Sequence, residues 1–293
     1  MSTYISTALS ASHLPELNHA RIGHHSITRL VTDAAIVTAS TDPAGFAGKN
    51  AANELSYSYW QPSIIPATWQ LGTGDKGDEE HIDYVGIAAH TLGSTGTSIR
   101  WQYKIGSGSW TTRVDASPTD DTPIVMLDEL STNTDGSNGI MHRLSLYSYG
   151  GVEYPKIGVV YMGRALKMSR PLYGGHAPAT LTPDIESRPN ESESGQFIGN
   201  SIIRRGMSGS WQWSNLDADW YRENFVPFIE DFASYPAFIT WRPGTFPDEC
   251  AYIWRDGALP RGTNQGQVNL MSVTLNAQGI GGPQGYPGVG ECD

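Results

Sequence analysis

Thirty acidic against nineteen basic side chains give this 293-residue chain a net charge of −11, with 39% hydrophobic and 17% charged residues. That balance excludes the Lys/Arg footprint needed to bind nucleic acid or an anionic membrane, and no apolar run reaches the roughly 18 residues a bilayer span requires. The length accommodates two ordinary domains, each able to bury its own core.

Two cysteines, Cys250 and Cys292, exclude a disulfide framework and point to synthesis in a reducing cytosol. The opening "MSTYISTALSASHLPELNHARIGHHS" has no basic stretch followed by an apolar one, so no secretory signal is expected. Fourteen tyrosines and nine tryptophans suit sheet faces and contact surfaces.

Residues 1–29 are polar, hold four of the eight histidines and show no clear period, so they read as an arm or a first short strand. From Leu30 onward, short β-like runs alternate with turn formers. "IDYVGIAA" (82–89) is apolar on both faces, the pattern of a strand buried inside a sandwich. "IRWQYKI" (99–105) alternates without exception. Ile99, Trp101, Tyr103 and Ile105 share one face, and Arg100, Gln102 and Lys104 the other. "GSGS" then turns the chain and Trp110 opens the return strand of a hairpin. "IVMLDEL" (124–130), "MHRLSLYSY" (141–149) and "KIGVVYMG" (156–163) complete a set whose spacing indicates a β-sandwich or barrel.

Residues 170–195 hold four prolines and little periodicity, and they read as a linker or long loop. A helix follows over 217–233. Asn215 or Asp217 caps it, Tyr221, Phe225, Phe228 and Phe232 form one stripe, and Pro227 kinks or splits it. "PAFITW", "CAYIWR" and "QVNLMSVTLNAQ" are three further strands, and residues 281–293 form a Gly/Pro tail.

The candidate chemistry is thin. Asp83, His90 and Ser94 have the residue types of a nucleophilic triad. One extended strand separates Asp83 from His90 by roughly 23 Å at about 3.3 Å per residue, so they do not meet. No strained Gly-x-Ser-x-Gly elbow is present, and no catalytic residue is assigned. "TNTDGSNG" (132–139) spaces Asn133, Asp135 and Ser137 like part of a calcium loop, but it lacks the closing glutamate and reads better as a turn. His13, His19, His24 and His25 match no zinc spacing, so no metal or cofactor is expected. Among the aromatics, Trp60 ends "YSYW" (57–60). Exposed at a sandwich rim it would be a sugar-stacking platform, buried it would be core packing, and core is the preferred reading.

The order of "AIVTASTD", "ANELSYSYWQP", "PATWQLGTG…HIDYVGIAA", "TSIRWQYKIGSGSWTTRV", "HRLSLYS" and "PKIGVVYMG" resembles the discoidin, or coagulation-factor type C, module of the galactose-binding-like superfamily. The resemblance implies a jelly-roll-type β-sandwich over 30–168 that binds through its end loops, with Trp60 and His90 as candidate glycan contacts. Further on, "MGRALKMSRPLYGGHAPATL", "NESESGQFIGNSIIRRG", "DADWYRENFVPFIEDFASYPAFITWRP" and "PDECAYIWRDG" resemble segments of tailed-bacteriophage distal or minor tail proteins. That likeness implies a ring-forming, β-rich domain with one helix over 169–280. The expectation is therefore a mainly β, non-enzymatic structural protein of a phage tail tip or baseplate, made in the host cytoplasm. Its partners would be copies of itself in a ring, other tail proteins and host-surface polysaccharide, with no nucleic acid and no membrane insertion. The alternative is a carbohydrate-binding module of a glycan-degrading system.

Overall fold

The computed structural model describes residues 2–6, 9, 15–30, 37–71, 82–128, 140–151, 153–266 and 269–281. Among the described residues seventeen strands form three sheets, so the chain is mainly β. In chain order they are β1 (Ser2–Ile5), β2 (Arg21–Gly23), β3 (Val37–Ala39), β4 (Ala67–Leu71), β5 (Tyr84–His90) and β6 (Ser98–Ile105). They continue with β7 (Thr111–Ala116), β8 (Ile124–Leu127), β9 (Ile140–Ser148), β10 (Ile157–Gly163), β11 (Leu166–Lys167) and β12 (Pro183–Glu191). The last are β13 (Phe197–Asp217), β14 (Ala237–Thr240), β15 (Cys250–Arg255), β16 (Thr263–Asn264) and β17 (Leu270–Gly281).

A five-stranded sheet (β3-β4-β9-β6-β7) faces a four-stranded one (β1-β8-β5-β10), and a third sheet (β11-β2-β14-β15-β17-β13-β12, with β16 on β17) completes the set. The four-stranded sheet is the middle layer. Val85 and Ile87 of β5 join Trp69, Trp101 and Leu144 in one core, whereas Tyr84 and Ala88 join Phe238, Cys250 and Tyr252 of the third sheet in another. This explains the unbroken apolar run of β5, because both of its faces are covered. Gly86 sits at that second junction, where a Cβ would come within 2.5 Å of the Phe238 ring, so only glycine lets the sheets approach. The far side of the third sheet is covered by the helix, through a core of Trp211, Trp213, Phe225, Phe228, Phe232, Ile253 and Leu275.

The helical stripe is buried as expected. Asp217 is the cap, accepting from the Asp219 and Trp220 amides at 2.9 Å each. The helix is divided beside Pro227, which sits in the first turn of its last piece. The proline's missing N–H falls just after a π-helical turn over Tyr221–Phe225, and a regular α-turn resumes at Val226–Phe232.

Of the two readings of the N-terminal segment, arm or first short strand, the structure has the strand: β1 pairs in parallel with β8, while β2 lies between β11 and β14, so it stitches two sheets together. Two other expectations are corrected. The proline-rich stretch read as a linker contains β12, which pairs antiparallel with β13 from Pro183↔Met207 to Glu191↔Phe197. Ile105 is exposed, because β6 runs on past the sandwich while Ile99 and Trp101 are fully buried. The stretch 132–139 and the tail beyond residue 281 lie outside the described residues.

Candidate functional site

His90 and Trp60 are both in the interior, at 3% and 0% exposure. Neither offers a surface to a sugar, which corrects their assignment as glycan contacts. Ala89, left-handed at φ 52°, precedes His90 at the end of β5. The His90 Nε2–H donates to the Thr122 carbonyl at 2.7 Å, and its Nδ1 accepts from the Leu92 amide at 3.2 Å. A carbonyl only accepts and a backbone amide only donates, so the ring is held as the neutral Nε2–H tautomer. Burial lowers its pKa from the usual 6.5 to about 4, against the opposing pull of the Thr122 carbonyl, Asp121 and Asp120.

The other two members of the nominal triad are engaged elsewhere. Asp83 accepts from the Ala165 amide at 2.6 Å, and the Ser94 hydroxyl donates to the Thr91 carbonyl at 3.3 Å. No proton relay links them. The His24 Nδ1–H donates to an Asp231 carboxylate oxygen at 2.8 Å, and His25 Nδ1 lies 3.8 Å from the same oxygen. Both histidines line a groove of about 600 Å³ together with Arg164, Lys167 and Trp220. Among the described residues no group of three or more His, Cys, Asp or Glu is arranged to hold a metal ion.

What the sandwich does present at its surface lies around the segment 57–61. Trp60 of that segment bridges Ile157, and His90 pairs with the same Ile157. Two stacked aromatic pairs flank the segment. Phe46 and Tyr59 lie 5.0 Å apart at 19°, and Tyr149 and Tyr154 lie 5.3 Å apart at 21°. Tyr57, in the same loop, is 78% exposed.

Polar groups tie the rim together. Gln61 donates its backbone N–H to the Phe46 carbonyl at 3.3 Å and its side-chain amide to the Tyr154 carbonyl at 2.9 Å, so one residue joins both pairs. Asn50 donates to the carbonyls of Gly45 and Tyr59 at 3.1 Å each. The Lys156 ammonium lies 5.5 Å from the Tyr59 ring centre. Partial desolvation, then Tyr154 and Glu153, hold the Tyr149 phenol above its usual pKa, so it remains a hydrogen-bond donor at neutral pH. The signal was present in "YSYW" (57–60). Within that segment Trp60 is buried, Tyr59 half-buried and Tyr57 exposed.

No protein-family model matches the chain, and no curated protein matches it either. Solved structures similar to part of it include the following three. Chitosan-binding module 1 of a chitosanase/glucanase from Paenibacillus sp. IK-5 has 15% identity and a TM-score of 0.37, covering 48% of this chain and 100% of the module. Module 2 of the same enzyme, in complex with chitotriose, has 14% identity and a TM-score of 0.29 over 44% of this chain and 95% of the module. A pectin-binding carbohydrate-binding module has 16% identity and a TM-score of 0.29 over 44% of this chain and 88% of its own. Likeness at this level does not carry a ligand from one protein to another.

Proposed function

We propose that this chain is a non-enzymatic glycan-binding protein whose binding surface is the aromatic rim of Phe46, Tyr57, Tyr59, Tyr149 and Tyr154. The observation that carries this reading is the pair of stacked ring couples joined by Gln61. Sugars bind to such a constellation because their C–H faces cover aromatic rings while their hydroxyls meet amides, phenols and ammonium groups at the edge. Tyrosine suits the task, since it offers a large amphipathic surface that loses little rotamer entropy when covered. An open rim predicts weak binding, in the millimolar range or about −4 kcal/mol.

Electrophoresis through gels containing hydroxyethylcellulose, chitosan or polygalacturonate tests the reading with neutral, cationic and anionic chains. At least one should retard the protein, and Tyr57→Ala combined with Tyr59→Ala should abolish the retardation. Unchanged mobility in all three gels would count decisively against it.

A second reading, an assembly role, rests on one observation that favours association with copies of the chain or another protein. The ribbon formed by β12 and the first half of β13 carries Phe197 and Ile198 at 67% and 69% exposure, with Ile185, Ile202 and Ile203 also exposed. A two-stranded ribbon of this kind gains stability by packing on something else, such as copies of the same chain in a ring. Light scattering over a range of concentrations, alone and with co-expressed tail proteins, tests it; only monomer under both conditions would remove this reading.

A further inference from the structure

The third sheet has one face that is covered by the four-stranded sheet only in part. The register defines what the uncovered part presents. Trp254 pairs with Gln278, and Gln278 with Ser208; Asn276 pairs with Ser210, and Thr274 with Gln212. Directly paired residues share a face, so these seven side chains form one grid. Ser208, Ser210, Gln212, Thr274 and Asn276 are exposed and Gln278 is half-buried. Trp254 is 37% exposed at the end of the grid, its ring edge-on to Tyr252 at 6.4 Å.

Two features separate this grid from an ordinary solvated sheet face. First, the six polar positions of β13 and β17 are all hydroxyl or amide, and charge stands only at the hollow end, where Asp184 pairs with Gly206 and Arg205 lines the wall. Neutral groups that both donate and accept are the complement of a ligand that is itself neutral and rich in hydroxyls. Second, the face is not flat. Gly206 stands two residues before Ser208 on the same strand and contributes no side chain there. The gap is a hollow of about 210 Å³ bounded by Trp254, Gln278, Ile280 and, at the base of the ribbon, Arg205. That volume is below the roughly 300–1,000 Å³ of pockets for drug-sized ligands, and it suits a single ring. A Cβ at Gly206 would lie 3.2 Å from the Gly279 carbonyl oxygen, so close strand packing favours the bare position.

We infer that this face is a second saccharide site, taking an uncharged sugar with one ring in the hollow against the Trp254 indole and the following hydroxyls along the Gln278–Asn276–Thr274 row. It lies in a different sheet from the aromatic rim and does not depend on it.

The test is titration of the full chain, with ¹⁵N-labelled indoles, against cellohexaose, maltohexaose, xylohexaose and N-acetylchitohexaose. Trp254→Phe assigns the Trp254 resonance. At least one sugar should shift that resonance at millimolar concentration, and Trp254→Ala should weaken binding at this site at least tenfold. Asn276→Asp keeps an acceptor for the Ser210 hydroxyl, which donates at 2.8 Å, while removing the amide donors; it should weaken binding with the fold intact. Tyr57→Ala should leave this titration unchanged, which separates the site from the rim. The inference fails if no sugar in the panel moves the Trp254 resonance, or if Asn276→Asp binds as tightly as the parent. It also fails if the resonance shifts with protein concentration alone, since the face would then be an interface between proteins.

Discussion

The His90 Nε2–H donates to the Thr122 carbonyl at 2.7 Å from a ring that is almost wholly out of water. The group that most resembled a catalytic histidine in the sequence is thus a structural one. It closes the end of β5 against the loop before β8 and has its second nitrogen occupied by the Leu92 amide.

That relationship makes stability depend on pH. The folded pKa of about 4 lies below the ordinary 6.5, so between these values the unfolded chain binds a proton that the folded chain refuses. Stability is full above pH 6.5 and falls as the pH drops through the window, by about 2–3 kcal/mol near its lower end from this group. Urea denaturation at pH 7, 5.5 and 4.5 should show that loss in the parent, and a visibly shallower pH dependence in His90→Gln. Parallel curves for the two proteins would refute the assignment.

In the hairpin, Trp101 is fully buried and donates its indole N–H to His142 Nδ1 at 3.2 Å. Trp101→Ala should cost about 3–5 kcal/mol, as deletion of a core aromatic does. Lys104 lies on the opposite face with its ammonium 5.2 Å from the Trp110 ring centre, so Lys104→Ala should stay within about 0.5 kcal/mol. Equal destabilisation in denaturant melts would overturn the face assignment.

The loop at 57–60 divides two roles between neighbours. Trp60 donates its indole N–H to the Thr41 carbonyl at 3.0 Å and is fully buried, so Trp60→Ala should lower stability by about 3–5 kcal/mol. Tyr57 faces solvent, and Tyr57→Ala should leave the melting temperature in place while reducing retention by polysaccharide. A Tyr57→Ala protein that melts early would show that the rim is packing rather than a binding surface.

How far the sequence could be read depended on burial. β6 and β5 were legible because one or both faces are covered, and burial writes itself as alternation or as an unbroken apolar run. The helix was legible for the same reason, through the stripe from Tyr221 to Phe232. β12 was not. With both faces in water, "PDIESRPNE" carries no hydrophobic period, and its two prolines argue against a strand unless it lies at an edge, which it does. The rim was half legible: Trp60 is the largest ring of "YSYW", but it is buried, while Tyr59 is half-buried and Tyr57 exposed. The Trp254 grid could not be read at all. It comes together only when β13, β15 and β17 are paired, and they lie far apart in the chain.

The ribbon of β12 and β13 offers the last test. No residue of 183–206 belongs to any of the three cores, which are entered only at Met207. Its own pairing is interrupted twice, at Glu186/Ser187 and at Asn190/Glu191, so it adds a ladder with breaks and no buried face. An isolated ribbon of that kind contributes little to the stability of the body that carries it. Replacing residues 187–202 with an Asn-Gly turn should therefore change stability by less than about 1 kcal/mol, a shift of a few degrees at most in the melting temperature. The same excision removes Phe197, Ile198 and Ile202 from the surface, so any concentration-dependent association of the parent should vanish. Calorimetry and light scattering on the two proteins read both quantities. A loss of several kcal/mol on excision would mean that the ribbon is part of the folded body and not a free arm.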